Sequence, residues 1–173
     1  MLTFEIWISQ QDPLSFGYVP LLRSVSFTNI GLSWHKMLKL SEFSGNATIG
    51  ALQLNFKGEK IWVQPEGPRQ LLPVFCKLRL VNLINISEEC DLNWTMFILQ
   101  GALSLEELHI MVLDHFCEMM MDDEQYAYSK EKKGVDWEGV APDFKHHKPA
   151  VLKIFGFRPE DKFVKYVRSV KMQ

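Results

Sequence analysis

The most constraining feature of this chain is a spacing, apolar-x-x-apolar-x-apolar, that keeps returning. Leu22, Val25 and Phe27 carry it in "LLRSVSF", and Ile49, Leu52 and Leu54 carry it in "IGALQL". Phe75, Leu78 and Leu80 repeat it in "FCKLRLVNL", Leu105, Leu108 and Ile110 in "LEELHI", and Leu152 with Ile154 in a weaker form in "AVLKIF". From one middle position to the next, Val25 to Leu52, Leu78 and then Leu108, the steps are 27, 26 and 30 residues. The step from Leu108 to Leu152 is 44, which predicts an insertion there.

A short strand points alternate side chains to opposite sides, so Leu78 and Leu80 are expected on one face and Lys77, Arg79 and Val81 on the other. One such unit cannot bury its apolar side alone. Copies stacked in register can, as a parallel sheet over one continuous core with the chain returning along the outside. The period is close to the roughly 20 to 29 residues of leucine-rich repeats. The expected fold is therefore α/β: a leucine-rich-repeat solenoid of short parallel strands with returning helices or irregular turns. It would hold about five repeats in a single domain over residues 1–173.

The segments between copies fit that alternation. In "DLNWTMFILQGALSL", Asp91 or Asn93 can cap a helix bearing Trp94, Phe97 and Ile98, and Gly101 can end it in the left-handed conformation. "GPRQLLPVF" offers Pro68 at a first helical position, with Leu71, Leu72 and Phe75 near helical spacing and Pro73 keeping the helix short. "WHKMLKLSEFSG" puts Trp34, Met37, Leu38 and Phe43 on roughly one helical face and closes at Gly45. These aromatic and methionine stripes read as core packing. From about Asp114 to Lys148 the chain is polar, with acidic and basic blocks and no clear period, which predicts a long inserted surface loop. "PEDKFVKYVRSVKMQ" then predicts an amphipathic helix with Phe163, Val164, Val167 and Val170 inside and Lys162, Lys165, Arg168 and Lys171 outside.

Composition narrows the function. An apolar fraction of 47% is enough for a packed core, and a net charge of -2 gives no field to draw the chain onto nucleic acid or an anionic membrane. Cys76, Cys90 and Cys117 are odd in number and lack CxxC spacing, which speaks against a disulfide framework or a structural zinc site and fits a reducing compartment. The start "MLTFEIWISQQDP" lacks the basic flank and cleavage site of a signal peptide, and no run of apolar residues is long enough to span a bilayer. A cytoplasmic location is expected, and the sequons at Asn46, Asn85 and Asn93 are then chance matches.

Catalytic constellations are thin. His109 and His115 are six apart and His146 and His147 adjacent, neither of which makes a metal pair with a nearby cysteine. Asp122, Asp123 and Glu124 lack the ordered glycine and glutamate of a calcium loop. The phosphate-cradling glycine motifs and the G-x-S-x-G nucleophile elbow are absent. Cys117 near His115 is the one nucleophile candidate, and sequence proximity does not bring a His to the sulfur. A non-enzyme without cofactor or metal is expected.

The stretches "KLRLVNL", "CDLNWTMFILQGALSLEELHIMVLDHFCEM", "YSKEKKGVDWEGVAPDFKHHKPAVLKIFGF" and "PEDKFVKYVRSV" resemble the C-terminal leucine-rich-repeat region of plant intracellular nucleotide-binding leucine-rich-repeat disease resistance proteins, in the form common in grasses. The resemblance implies a protein-recognition surface in an innate immune receptor, sensing a pathogen effector or a host protein and contacting other domains of a longer receptor. The asparagine usual at the ninth repeat position stands at the eighth at Asn29 and Asn82, and the repeats lack polar caps, so uncapped ends and a truncated product or docking piece are expected. Substrate-binding repeats of an F-box ubiquitin-ligase adaptor are the alternative. From the repeat register, the partner-binding residues would be those alternating with the core: Ser24, Ser26 and Thr28; Gln53 and Asn55; Lys77, Arg79 and Val81; Glu107, His109 and Met111; Lys153 and Phe155.

Overall fold

The computed structural model describes residues 2–6, 22–29, 37–43, 48–58, 61–113, 151–156 and 158–170. Among these, six strands form one sheet: β1 Leu2–Ile6, β2 Ser24–Asn29, β3 Ala51–Asn55, β4 Leu80–Ser87, β5 Glu107–Leu113 and β6 Val151–Phe155. Their order across the sheet is their order in the chain, and every neighbouring pair is parallel.

Register lines up the apolar positions in two rows. Val25, Leu52, Val81, Leu108 and Leu152 are successive partners in one, and Phe27, Leu54, Leu83, Ile110 and Ile154 in the other. From β2 to β5 these side chains are buried in one continuous core, and on β6 Leu152 and Ile154 pack against it partly exposed. β6 rejoins the register across the long step after Leu108. The inserted segment at about 114–148, with His115, Cys117, His146 and His147, lies outside the described residues.

The row through Val81 corrects the expected register of β4. Leu52 pairs with Val81 rather than Leu78, so the repeating unit is Leu78, Val81 and Leu83. Val81 is fully buried, whereas Leu80 is half-exposed on the opposite face. The stretch "FCKLRLVNL" satisfies the spacing twice, starting at Phe75 or at Leu78, and a one-residue slip in a strand exchanges its two faces. Helix geometry settles it: Phe75 is the last residue of a helix and Cys76–Lys77 make the turn, so the strand begins only at Leu80.

With that register the copies become equivalent in their backbone as well. Just before each of β2 to β5 stands a buried apolar residue, Leu22, Ile49, Leu78 or Leu105. The next carbonyl receives two N–H groups from the following copy. Arg23 O accepts from Gly50 N at 2.8 Å and Ala51 N at 3.0 Å, Gly50 O from Arg79 N at 2.9 Å and Leu80 N at 3.3 Å, and Arg79 O from Glu106 N at 2.8 Å and Glu107 N at 2.9 Å.

The helices lie over the core face. Helix α1, Pro68–Phe75, starts with Pro68 where no N–H is needed, and the Gln70 side chain reaches back to the Gly67 N–H at 3.1 Å. It buries Leu71, Val74 and Phe75, and Leu72, expected inside, is 46% exposed. Asp91 caps a 3-10 turn, Leu92–Thr95, by accepting from Asn93 N at 2.9 Å, and helix α2, Met96–Gly101, continues from it. Gly101 is the last residue of α2 and not a left-handed cap. A Cβ there would stand 2.8 Å from Leu71 Cβ, so the glycine lets α2 approach α1.

The expected helix around Met37 to Phe43 is a 3-10 turn, Leu40–Phe43, preceded by a bridge from Leu38 to Val63. Leu38 N donates to Trp62 O at 2.8 Å and Gln64 N to Leu38 O at 2.8 Å. Local pairing with an extended segment outcompetes helical spacing here, and Trp34 and Gly45 lie outside the described residues. The buried Glu66 carboxylate holds that turn, accepting from Ser41 N at 3.1 Å and from the Ser41 hydroxyl.

Helix α3, Asp161–Ser169, buries Phe163 and Tyr166, with Val170 buried just beyond, and leaves Val167 41% exposed. Its apolar stripe thus follows 163, 166 and 170, with the tyrosine taking the place expected of Val164 and Val167. Lys165 and Arg168 face outward as expected, whereas Lys162 reaches the Glu88 carbonyl. Arg158 pairs with Glu88 at 3.1 Å. α3 is thereby tied to the end of β4, with its polar side outward.

Candidate functional site

Strand parity leaves a second face, and it is open. Parallel sheets are usually covered on both sides and read as continuous apolar runs. Here β2 to β6 alternate, apart from one irregularity in β4, and the face away from the helices carries mostly polar or half-exposed residues. Its central row runs Ser26, Gln53, Asn82, His109, Lys153 in direct register. On one side lies Ser24, Ala51, Leu80, Glu107, Val151, and on the other Thr28, Asn55 and Ile84, with Met111 and Phe155 beyond an irregularity in β4.

This face gathers ten of the residues expected from sequence and rearranges the rest. Ser24, Thr28, Gln53, Glu107 and His109 are half-exposed on it, and Met111, Lys153 and Phe155 are exposed. Ser26 and Asn55 lie on the same side but are buried: Gln53 Nε2 donates to Ser26 Oγ at 2.9 Å, and Asn55 Oδ1 accepts from Lys57 N at 3.1 Å and Asn85 Nδ2 at 2.9 Å. Val81 belongs to the core and is no binding residue. Lys77 and Arg79 are exposed but precede β4, and Arg79 pairs with Glu106 at 3.5 Å. In their place β4 contributes Leu80, Asn82 and Ile84, which the end of α1 would have revealed by fixing where the strand starts.

The irregularity has a local cause. Between Leu83 and Ile86 β4 spends one residue more than β5, and Asn85 sits there at φ 58°. Such an αL residue with an amide side chain is a common bulge element. Asn85 accepts from Gly58 N through its carbonyl at 2.6 Å and donates through its side chain to Asn55. The asparagine at the eighth position of this copy is thus Asn85, and Asn82, expected there, stands on the open face.

Charge on the β5–β6 half of the face is uneven. His109 Nε2 lies 3.0 Å from Glu107 Oε2, while Lys153 makes no ion pair among the described residues. Met111 and Phe155, register partners, are 40% and 50% exposed. Among the described residues no group of three or more His, Cys, Asp or Glu side chains could hold a metal ion, and no helix is long and apolar enough to cross a membrane. Comparison with family models, with curated proteins and with solved structures finds no match to this chain.

Proposed function

We propose that this chain is a non-catalytic protein-recognition module, a leucine-rich-repeat solenoid that uses its open strand face as its binding surface. More particularly, it works as the ligand-sensing repeats of an intracellular plant immune receptor would, engaging a pathogen effector or a host protein in the cytoplasm, and other domains of a longer receptor. The observation that carries the reading is the single-sided sheet: strands in chain order, one row of side chains committed to the core and the next row left to solvent. The doubled hydrogen bonds at Arg23, Gly50 and Arg79 support stacked, equivalent repeats. The sequence resemblance supports the immune setting.

The test is proximity labelling in plant cells with the chain and two variants. One replaces Gln53, Asn82, His109 and Lys153 with alanine on the open face, and the other replaces Arg69 and Lys165 on the helical side. A partner labelled by the chain and by the helical-side variant, but not by the strand-face variant, is expected. Equal labelling by all three would refute the assigned face, and labelling dominated by ubiquitin-ligase scaffold subunits would replace the immune reading with an adaptor role.

A further inference from the structure

We propose that the β5–β6 half of the open face is an anchor site for a protein segment that presents one large apolar side chain with a carboxylate two residues away. The inference rests on the binding-face reading above and adds the chemistry of the partner.

Met111 and Phe155 are register partners on adjacent strands, which places their side chains about 5 Å apart at the Cβ atoms and makes them one patch. The other large exposed apolar residues among those described lie off the sheet: Leu72 on α1, Leu103 after α2 and Val167 on α3. A flat ring beside a flexible thioether suits insertion of an aromatic or aliphatic side chain. The β2–β3 half offers nothing comparable, since its Ser26 hydroxyl is already bonded to Gln53.

Charge supplies the second element. Lys153 lies two residues before Phe155 on the same face of β6, exposed and without an ion pair among the described residues. Among the described residues of this half the carboxylate is Glu107, 3.0 Å from His109 Nε2 and at the far end of β5 from Met111. The charge nearest the apolar patch is therefore the Lys153 ammonium, two residues from Phe155, whereas Glu107 stands four residues from Met111, and an anion suits that position. Residues i and i+2 of a strand are about 7 Å apart, so an extended partner segment lying along β6 matches the pair when its own apolar and acidic residues are two apart.

The full chain, its Lys153→Glu variant, its Met111→Ser/Phe155→Ser variant and its Gln53→Ala and His109→Ala variants are each panned against a random-sequence peptide library displayed on phage, after circular dichroism confirms equal folding. The chain is expected to enrich peptides with a large apolar residue two positions from Asp or Glu. Lys153→Glu should move that second position to Lys or Arg. The double serine variant should weaken the enriched peptides by about tenfold or more. Enriched peptides without a carboxylate, or unchanged by Lys153→Glu, overturn the charge assignment. Peptides lost on Gln53→Ala and His109→Ala but not on the double serine variant overturn the anchor while leaving the face as a binding surface. Indifference to every one of these variants, or no enrichment, overturns the anchor, and indifference also counts against the face itself.

Discussion

The hydroxyl of Tyr166 donates a hydrogen bond to Thr95 Oγ1 across 2.6 Å inside the core. The direction follows from the neighbouring bond: Thr95 has one hydroxyl proton and gives it to Leu92 O at 2.8 Å, so Tyr166 must be the donor. This bond fastens α3 to the turn that begins α2, and it explains why a tyrosine can sit fully buried on an otherwise apolar stripe.

Burial raises the Tyr166 pKa well above its ordinary 10.0, and the Thr95 hydroxyl, which can turn from Leu92 O to donate to the phenolate once it forms, offsets a smaller part of that rise. Above about pH 10 the unfolded chain releases this proton while the folded chain keeps it, so the unfolded state binds fewer protons and stability falls as pH rises. The contribution is fully present below pH 10 and is lost at about 1.4 kcal/mol per pH unit above it. Tyr166→Phe is expected to cost about 1 kcal/mol at neutral pH and to remove that share of the alkaline slope. Urea titrations of both proteins from neutral to strongly alkaline pH measure it, and parallel slopes would contradict the assignment.

Register is tested by exchanging charge between the two faces of β4. Val81→Asp puts an unpaired carboxylate in the core and should abolish cooperative unfolding or cost several kcal/mol, on the order of the 3 to 5 kcal/mol of an uncompensated buried charge. Leu80→Asp, on the open face, should change stability by less than about 1 kcal/mol. The opposite ranking would restore the register in which Leu80 is a core residue.

Two glycines are expected to resist alanine for different reasons. At Gly101 the added methyl meets Leu71 Cβ at 2.8 Å, and the overpacking cost of about 1 to 3 kcal/mol outweighs the helix-propensity gain of about 1 kcal/mol. At Gly156, φ is +70° and the new Cβ would stand 2.2 Å from the Val112 carbonyl oxygen, so β6 must shift away from β5. Gly156→Ala should therefore be the more damaging, by thermal unfolding, and should raise hydrogen exchange in β5 and β6 first.

Asn85 separates backbone need from side-chain need. Asn85→Gly keeps the left-handed bulge and loses the bond to Asn55, for an expected loss of about 1 kcal/mol. Asn85→Val loses the bond and also forces a β-branched residue into φ > 0, so it should cost roughly 1 to 3 kcal/mol more. Equal effects in chemical denaturation would mean the bulge is not held in that conformation.

The parallel sheet was legible in the sequence wherever one strand face is clearly apolar, as in Val25 and Phe27 or Leu108 and Ile110. It was ambiguous at β4, where Leu78, Leu80, Val81 and Leu83 crowd together and only the extent of α1 decides which of them face inward. Gly101 and Tyr166 show a second limit. A glycine near a helix end fits both a left-handed cap and a close helix contact, and a tyrosine is read as a core residue only when a partner for its hydroxyl can be named. The site was legible to the same extent as the strands: β2, β3, β5 and β6 gave outward residues correctly placed, although the burial of Ser26 and Asn55 depends on neighbours a strand away. Leu80, Asn82 and Ile84 were hidden by the slip in β4.

The alternation of core and outer positions along β2 to β5 has an evolutionary consequence. Odd and even letters of one short word answer to different masters, the first to stability and the second to whatever is met outside. Mutation can therefore rewrite the outer letters, one strand at a time, while the inner ones go on holding the molecule together.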